Sequence, residues 1–219
     1  MNLKYFTVPN LLRDILTKLM ADKNFDDFVL VGGTALSLQL GHRISIDIDL
    51  FTEKPYGSMA VAQIRSALSE LFSYTKNFEA LEDSNLGYSV YVGYSKKEYI
   101  KLDLYYTEAF IAPILQQDGL RLASTQDIAA MKMLAIVTGN RKKDFWDIHE
   151  LLEHYSFSDL LKWGLERNPY TLDERKIINA FDKMDSLDED APVQCLKGKY
   201  WEFIKEDLRE MIAHIKKIG

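Results

Sequence analysis

The pattern of apolar and polar positions divides the chain into a first part that mixes strands with helices and a second part of helices alone. Apolar residues at helical spacing predict helices, and short runs rich in β-branched and aromatic residues predict strands. In the first part the predicted helices are 9–20, 34–40 and 58–72, and the predicted strands are 28–31, 44–50, 78–81, 88–94 and 98–106. A turn is predicted at 83–85.

The second part has helical periodicity at 128–137, 141–154, 157–166, 172–184 and 200–215. No convincing strand follows Leu120, so the sequence predicts one domain over 1–120 and a helical domain over 121–219. The predicted fold class is α/β (α+β), because strands and helices alternate in the first domain before the helices continue alone.

The stretch from Val29 to Phe51 carries the strongest chemical signal. Its first strand ends at Gly32-Gly33, Thr34 can cap the helix that follows, and Gly41 is placed to end that helix. The alternation over 44–50 then puts Asp47 and Asp49 on one face of a strand. Two neighbouring carboxylates repel each other unless a cation lies between them. The alternative is a solvated edge of an amphipathic strand.

A third carboxylate, Asp103, lies in the predicted strand 98–106 and shares a face with Lys101. An acidic residue on a central strand is unfavourable unless it is paired. Asp103 is therefore either a third metal ligand beside Asp47 and Asp49 or the partner of Lys101 in an ion pair. Carboxylate oxygens are ligands that suit Mg²⁺ or Mn²⁺ better than zinc.

In the helical part, Lys132 interrupts a helix that is otherwise apolar on every side. Its ammonium must reach solvent at the end of its stem or meet an anion, such as a nucleotide phosphate. On the next helix Asp144 and Asp147 are three residues apart and therefore neighbours on one face.

The run Arg141-Lys142-Lys143 opens that next helix, where cations oppose the helix dipole. A polyanionic partner such as RNA would favour these charges at that position. The alternative is a solvated charge run without a partner.

Composition narrows the class of protein. The chain has 219 residues, of which 47% are apolar and 27% charged, which is ordinary for a globular protein. A single cysteine excludes an internal disulfide and a cysteine-based zinc site, and the four histidines form no spaced metal-binding set. We expect a cytoplasmic protein without a membrane partner, because no apolar run approaches spanning length and no signal peptide is visible. The net charge of −6 argues weakly against a general nucleic-acid binder.

The string GGTALSLQLGHRISIDIDLF resembles the AbiEii/AbiGii-type nucleotidyltransferase toxins of type IV toxin–antitoxin and abortive-infection systems, a branch of the DNA polymerase β-like superfamily. The resemblance extends to the lysine in an apolar helix followed by the RKKDFWD helix. It implies a nucleotidyltransferase domain with a mixed sheet, followed by a C-terminal helical domain. It also implies that Lys132 and either Asp144 or Asp147 are active-site residues.

In such an enzyme Asp47, Asp49 and Asp103 would hold Mg²⁺ or Mn²⁺. Residues expected to bind the nucleoside triphosphate (NTP) are Gly32, Gly33, Thr34, Ser45, Arg43 and Lys132, although His42 and Arg43 are equally suited to a structural turn. The resemblance implies an NTP donor, an acceptor such as the 3′ end of a tRNA, and a cognate antitoxin. Two alternatives stay open at this point: a small-molecule acceptor, and a non-catalytic nucleotide-binding regulatory module.

Overall fold

A computed structural model describes residues 2–77, 86–139 and 141–218, so the predicted strand 78–81 and the predicted turn at 83–85 lie outside the described residues. The chain forms two compact units. Unit 1 comprises Met1–Leu40 and Ser45–Ser124, and unit 2 comprises Gly41–Ile44 and Thr125–Gly219. The main division lies four residues after the domain boundary predicted at 120.

Unit 1 is built on a mixed sheet, which has seven strands among the described residues, in the order β3-β4-β5-β2-β1-β7-β6. The strands are β1 Val29–Leu30, β2 Ile48–Thr52, β3 Tyr74–Lys76, β4 Gly87–Ser95, β5 Glu98–Tyr106, β6 Leu115–Gln117 and β7 Leu120–Leu122. β4 and β5 form the hairpin that the sequence predicts, joined at residues 96 and 97. β2 pairs antiparallel with β1 and parallel with β5, so the sheet is mixed at its centre.

Three helices of unit 1 are α1 Asn10–Ala21, α2 Gly32–Leu40 and α3 Val61–Leu71. α1 packs on β4 and β5, and α3 packs on β3. Alternate residues of the central strands, including Val90, Leu102 and Leu50, are fully buried. This alternation is the expected result of a sheet that turns one face to its core and the other face away from it.

β2 begins four residues later than the sequence predicts, and this is a correction to the predicted strand over 44–50. The backbone before Ile48 has other partners: the Ser45 amide donates to the Thr7 carbonyl oxygen, and the Thr34 hydroxyl donates to the Asp47 carbonyl oxygen. Ile46 is 60% exposed rather than buried. Asp49 therefore lies on the strand, whereas Asp47 lies just before it.

Within unit 2, the segment 41–44 pairs with the chain around Cys195. The Ile44 amide donates to the Gln194 carbonyl oxygen at 2.9 Å, and the Leu196 amide donates to the His42 carbonyl oxygen at 2.8 Å. Arg43 and Cys195 form an isolated antiparallel bridge. These bonds explain why the alternating pattern does not become a longer β2.

A second difference is the β6–β7 hairpin, which the sequence did not predict and which extends strand structure to residue 122. Its two-residue turn is Asp118-Gly119, and both residues have positive φ, at 53° and 78°. An Asp-Gly pair is a strong hairpin signal because that turn requires left-handed backbone at both positions. β7 then pairs parallel with β1.

Unit 2 contains α4 Thr125–Thr138, α5 Lys142–Leu151, α6 Phe157–Arg167, α7 Glu174–Phe181 and α8 Trp201–Ile218. α4 packs against α5, α6 and α7. A Cβ at Gly164 would lie 2.8 Å from the Met133 side chain, so glycine permits the close approach of α6 to α4. Within the described residues, no helix combines the length and the apolar composition needed to cross a bilayer.

Candidate functional site

The acidic residues predicted to bind metal lie together on β2 and β5 in unit 1. The parallel pairing sets Asp49 directly opposite Asp103, so the two carboxylates are neighbours on one face of the sheet. Asp47 comes two residues before Asp49, just ahead of β2. Asp103 is held from two sides: Ser89 Oγ donates to one carboxylate oxygen and Lys101 Nζ to the other, each at 2.5 Å.

Lys101 is the cation of this group. Burial lowers the pKa of its ammonium, but the hydrogen bond to Asp103 and the charges of Asp103, Asp49 and Asp47 outweigh burial and raise the pKa above its usual value. All three aspartates therefore act on one half-exposed cation. The ion pair of Asp103 with Lys101 is confirmed, and its role as a third metal ligand beside Asp49 stays a prediction.

Gly32 contacts the same group from the start of α2. Its φ of +67° lies in the left-handed region, and a Cβ there would stand 2.5 Å from Asp49 Oδ2. The missing side chain therefore makes room for a carboxylate as well as exposing backbone N–H groups at a helix start. Gly33 follows as the second residue of α2.

The hydroxyl groups of Thr34 and Ser45 are both buried and bonded inside unit 1. Thr34 Oγ1 lies 2.8 Å from Ser45 Oγ, and it also donates to the Asp47 carbonyl oxygen. These bonds tie α2 to the segment that carries Asp47. Their predicted contact with phosphate stays a prediction, and their observed role is to position Asp47.

A second group of predicted residues is buried in unit 2. The ammonium of Lys132 lies 2.6 Å from an Asp144 oxygen and 2.7 Å from an Asp147 oxygen, and both carboxylates are fully buried. Burial lowers the pKa of Lys132, but the charges of Asp147 and Asp144 outweigh it and raise the pKa. Lys132 therefore does not extend to solvent; it meets anions that the protein itself supplies.

Asp147 is shared with Arg43 and His42. Arg43 binds it in a fork, with Nε on one oxygen at 2.6 Å and the second nitrogen on the other oxygen at 2.8 Å, and His42 Nε2 lies 2.8 Å from the first oxygen. Burial raises the pKa of Asp147, but the Arg43 and Lys132 charges and these hydrogen bonds hold it well below its usual value. Of the two roles left open for His42 and Arg43, the structure shows the structural one.

The basic run at 141–143 does not form one solvated patch, because Arg141 is exposed whereas Lys142 is buried. The solvated interpretation is therefore wrong for Lys142, and a contact of the run with RNA stays a prediction. Lys142 is buried, and its Nζ donates to the carbonyl oxygens of Asp188 and Asp190 at 2.8 and 3.0 Å. Arg141 Nε donates to Asp144 at 2.9 Å. The loop around 188–190 satisfies Lys142, so the helix start needs no external anion to account for that charge.

One compact set of potential metal ligands was missed by the sequence analysis. Among the described residues, ligand atoms of Glu150, Glu153 and His154 lie within 4.8 Å of one another. The ligand atoms of Asp47, Asp49 and Asp103 do not form such a set within the described part of the chain. Lys199 Nζ donates to Glu150 at 2.9 Å and lies 2.5 Å from Glu153. A lysine already satisfies these acids, so they form an ion network.

The predicted site residues thus fall into two sets, each inside its own unit. Asp47, Asp49 and Asp103 offer only carboxylate oxygens, the donors that Mg²⁺ and Mn²⁺ prefer. Lys101 Nζ already pairs with Asp103 at 2.5 Å, so a divalent ion bound there would replace this ammonium. The chemical type of the three donors, rather than their spacing, fits a divalent ion.

Comparison with known proteins identifies the family of the chain. The sequence profile of the nucleotidyl transferase AbiEii toxin family of type IV toxin–antitoxin systems matches residues 14–212. An uncharacterized protein of Aquifex aeolicus is 26% identical over 213 residues, covering 91% of this chain and 93% of that protein.

Among solved structures, JHP933 from Helicobacter pylori has a TM-score of 0.58 at 20% identity, covering 94% of this chain and 89% of that one. The nucleotidyltransferase toxin MenT4 from Mycobacterium tuberculosis has a TM-score of 0.55 at 14% identity, covering 93% and 83%. These likenesses concern the fold. The family profile spans most of the sequence, and the chain belongs to the AbiEii family of nucleotidyltransferase toxins of type IV toxin–antitoxin systems.

Proposed function

We propose that this nucleotidyltransferase uses Mg²⁺ or Mn²⁺ to transfer a nucleotidyl group from an NTP to RNA, at the 3′ end of a tRNA, and that it acts in the cytoplasm as a toxin opposed by a cognate antitoxin. Asp47, Asp49 and Asp103 would hold the metal. A divalent ion bound there would activate the attacking 3′ hydroxyl and neutralise charge on the triphosphate, from which pyrophosphate leaves as the new phosphodiester bond forms.

The observation that carries the proposal is the pairing of β2 with β5. It sets Asp49 opposite Asp103, and Lys101 responds to the charges of both and of Asp47. A protein that only needed a stable sheet would gain nothing from two acids opposite each other with a third just before the strand, because like charges at neighbouring positions destabilise a sheet. A divalent cation held by these aspartates would bind the NTP, and this would explain why the acids lie together.

The backbone at the start of α2 would bind the nucleotide without taking part in the chemical step. The backbone at Gly32 and Gly33 begins α2, and N–H groups at a helix start favour phosphate oxygens. In unit 2, Asp144 and Asp147 fix the ammonium of Lys132 in one position. The contact of Lys132 with the triphosphate stays a prediction, and within unit 2 Asp147 holds Lys132 beside Arg43.

The proposal is tested by incubating the protein with each labelled NTP, Mg²⁺ and total RNA, and asking which molecules become labelled. We expect label in RNA of tRNA size with one NTP preferred over the others. Label in a small-molecule fraction would replace the RNA acceptor by a small molecule. Absence of label in every fraction, with a protein that is folded and binds NTP, would contradict transfer altogether.

The matched variant is Asp47→Asn/Asp49→Asn, which keeps the shape of both side chains. We expect labelling to fall by about 100-fold or more, since the metal loses two of its ligands. The unfolding midpoint should hold, because removing neighbouring like charges relieves repulsion. Loss of the folded state together with activity would make these residues structural.

A further inference from the structure

The face of the sheet that carries the aspartates continues outward onto β4 and β3. Residues directly opposite one another in a sheet point to the same side, so the register defines rows across the strands. Asp49, Asp103 and Ser89 form the first row, Lys101, Tyr91 and Lys76 the second, and Tyr99, Gly93 and Tyr74 the third. We call Lys76, Lys101, Tyr74, Tyr91 and Tyr99 the Tyr–Lys face.

The side chains of the Tyr–Lys face contact each other. The rings of Tyr74 and Tyr99 have centroids 5.6 Å apart, and those of Tyr91 and Tyr99 meet edge to face at 5.5 Å. Lys76 Nζ lies 5.7 Å from the centroid of Tyr91. Tyr74 and Tyr99 meet across Gly93, where an added Cβ would stand 2.1 Å from the Glu98 carbonyl oxygen. Glycine is therefore required between the two rings.

Among the described residues, this face is partly exposed while the opposite face is buried. Tyr99 is 40% exposed and Lys76 is exposed, whereas Val90, Val92 and Leu102 on the other face are fully buried beneath the helices of unit 1. Three tyrosines and two lysines therefore share one partly exposed face of the sheet. Aromatic rings can stack on the bases of single-stranded nucleic acid, and neighbouring ammonium groups can bind its phosphates.

We propose that the Tyr–Lys face binds single-stranded RNA and leads its 3′ end to Asp49 and Asp103. This inference rests on the proposed function, and it identifies where the acceptor would lie in unit 1. Tyr99 is four residues from Asp103 along β5, a distance of about 13 Å at ~3.3 Å per residue. An acceptor strand that lies along this row of rings would have its 3′ end at the carboxylates.

The sequence placed an RNA contact at 141–143, but Lys142 there is buried and bonded to the chain around 190. Lys101 and Lys76 provide positive charge next to the carboxylate row instead. Lys101 Nζ donates to Asp103, and Lys101 lies opposite Tyr91 in the pairing of β5 with β4. The aspartates and the Tyr–Lys face are therefore continuous on the sheet.

The experiment measures the binding of a short fluorescein-labelled single-stranded RNA by anisotropy. The variants are Tyr99→Val, Tyr99→Phe and Lys76→Gln, and the double variant Lys76→Gln/Tyr99→Val. The matched controls are Tyr170→Val, at a fully exposed tyrosine of unit 2, and Lys23→Gln, at an exposed lysine beside the helices of unit 1. Unfolding midpoints are recorded for every protein.

We expect the double variant to bind RNA about tenfold or more weakly, as loss of a stacked base and a phosphate contact predicts. Tyr99→Phe should bind like wild type because it keeps the ring, and both controls should also bind like wild type. Lys76→Gln should reduce the slope of log K against log salt by about 0.7, the value for one phosphate contact on a single strand.

Failure of wild type to bind the RNA would overturn the inference, as would a folded double variant that binds like wild type. A lower midpoint for Tyr99→Val with unchanged RNA affinity would show that the rings only pack over Gly93. The shift of the wild-type unfolding midpoint by Mg²⁺ and an equimolar mixture of the four NTPs is measured separately. Its absence contradicts the proposed function, whereas the RNA data alone decide the Tyr–Lys face.

Discussion

Two groups of charged residues, one in each unit, contain similar side chains in very different surroundings. In unit 1 three aspartates act on Lys101, whose side chain is 37% exposed. In unit 2 Asp144 and Asp147 are fully buried and are matched by the buried cations Lys132 and Arg43. The first group is partly exposed to solvent, and the second is enclosed by the protein.

The difference shows that burial decides what a charged cluster can do. A buried carboxylate needs its partners at all times, because an uncompensated charge in the interior is strongly unfavourable. A partly exposed carboxylate can exchange one cation for another at little expense, since water compensates it during the exchange. The first group is therefore suited to binding metal, and the first effect of the second group is on the stability of unit 2.

Replacement of a buried acid should have the largest effect on stability. Asp147→Asn leaves Arg43 and Lys132 buried beside a neutral partner, and we expect the free energy of unfolding to fall by about 3–5 kcal/mol. Asp182→Asn is the control, because Asp182 pairs with Lys216 at the surface and should lose no more than about 1 kcal/mol. Chemical denaturation measures both, and equal losses would contradict the distinction between the two groups.

Acid should weaken the protein through the same buried acids. The pKa of Asp147 lies well below 3.8 in the folded chain, and those of Asp144 and Glu150 are also lowered from 3.8 and 4.5, because nearby cations outweigh burial. The unfolded chain therefore takes up protons first as the pH falls. Their contribution is complete above about pH 5 and is lost below about pH 4, at about 1.4 kcal/mol per pH unit for each proton.

Denaturation at a series of pH values measures that slope. The Asp147→Asn variant should show a shallower slope than wild type, since one of the acids that takes up a proton on unfolding is gone. An unchanged slope would mean that Asp147 does not contribute to acid stability, and would contradict the role assigned to its cations.

Gly32→Ala tests the close approach of α2 to the acidic group. Alanine at φ +67° costs about 1–2 kcal/mol by itself, and its Cβ would also stand 2.5 Å from Asp49 Oδ2. Gly119→Ala is the matched control, because it has a φ of +78° and nothing within 4 Å of the added Cβ. We expect Gly32→Ala to lose at least about 1 kcal/mol more than the control and to lose transfer activity.

The same denaturation experiment decides this point. If the two glycine variants lose equal stability and Gly32→Ala still transfers nucleotide, the position of Asp49 does not depend on the glycine.

Much of the fold follows from local patterns in the sequence. The β4–β5 hairpin, the helices of unit 2 and the end of α2 before Gly41 were predicted, because each depends on periodicity or on a residue that ends an element. The late start of β2 could not be predicted in that way. Its alternation is correct for a strand, but the backbone before Ile48 bonds to Thr7 and Thr34, which are distant in sequence.

The site shows the same division between local and distant information. The candidate acids Asp47, Asp49 and Asp103 were found by their spacing, and the register that pairs Asp49 with Asp103 required the structure. The sequence assigned Arg43 either to substrate or to a turn, and it placed Lys142 in a basic patch. Their partners, Asp147 and the residues around Asp190, lie 104 and 48 positions away. Spacing along the chain cannot reveal such pairs.

The most direct test of the account is the effect of Mg²⁺ with the four NTPs on the unfolding midpoint of wild type and of Asp49→Asn/Asp103→Asn. For wild type we expect a stabilisation of about 2.7 kcal/mol at ligand 100-fold above Kd, a rise of roughly 5–10 °C. The variant should be folded and show no rise, because Asp49 and Asp103 are the residues proposed to hold the metal. A variant that keeps the full rise would place the metal and the nucleotide elsewhere and contradict the account.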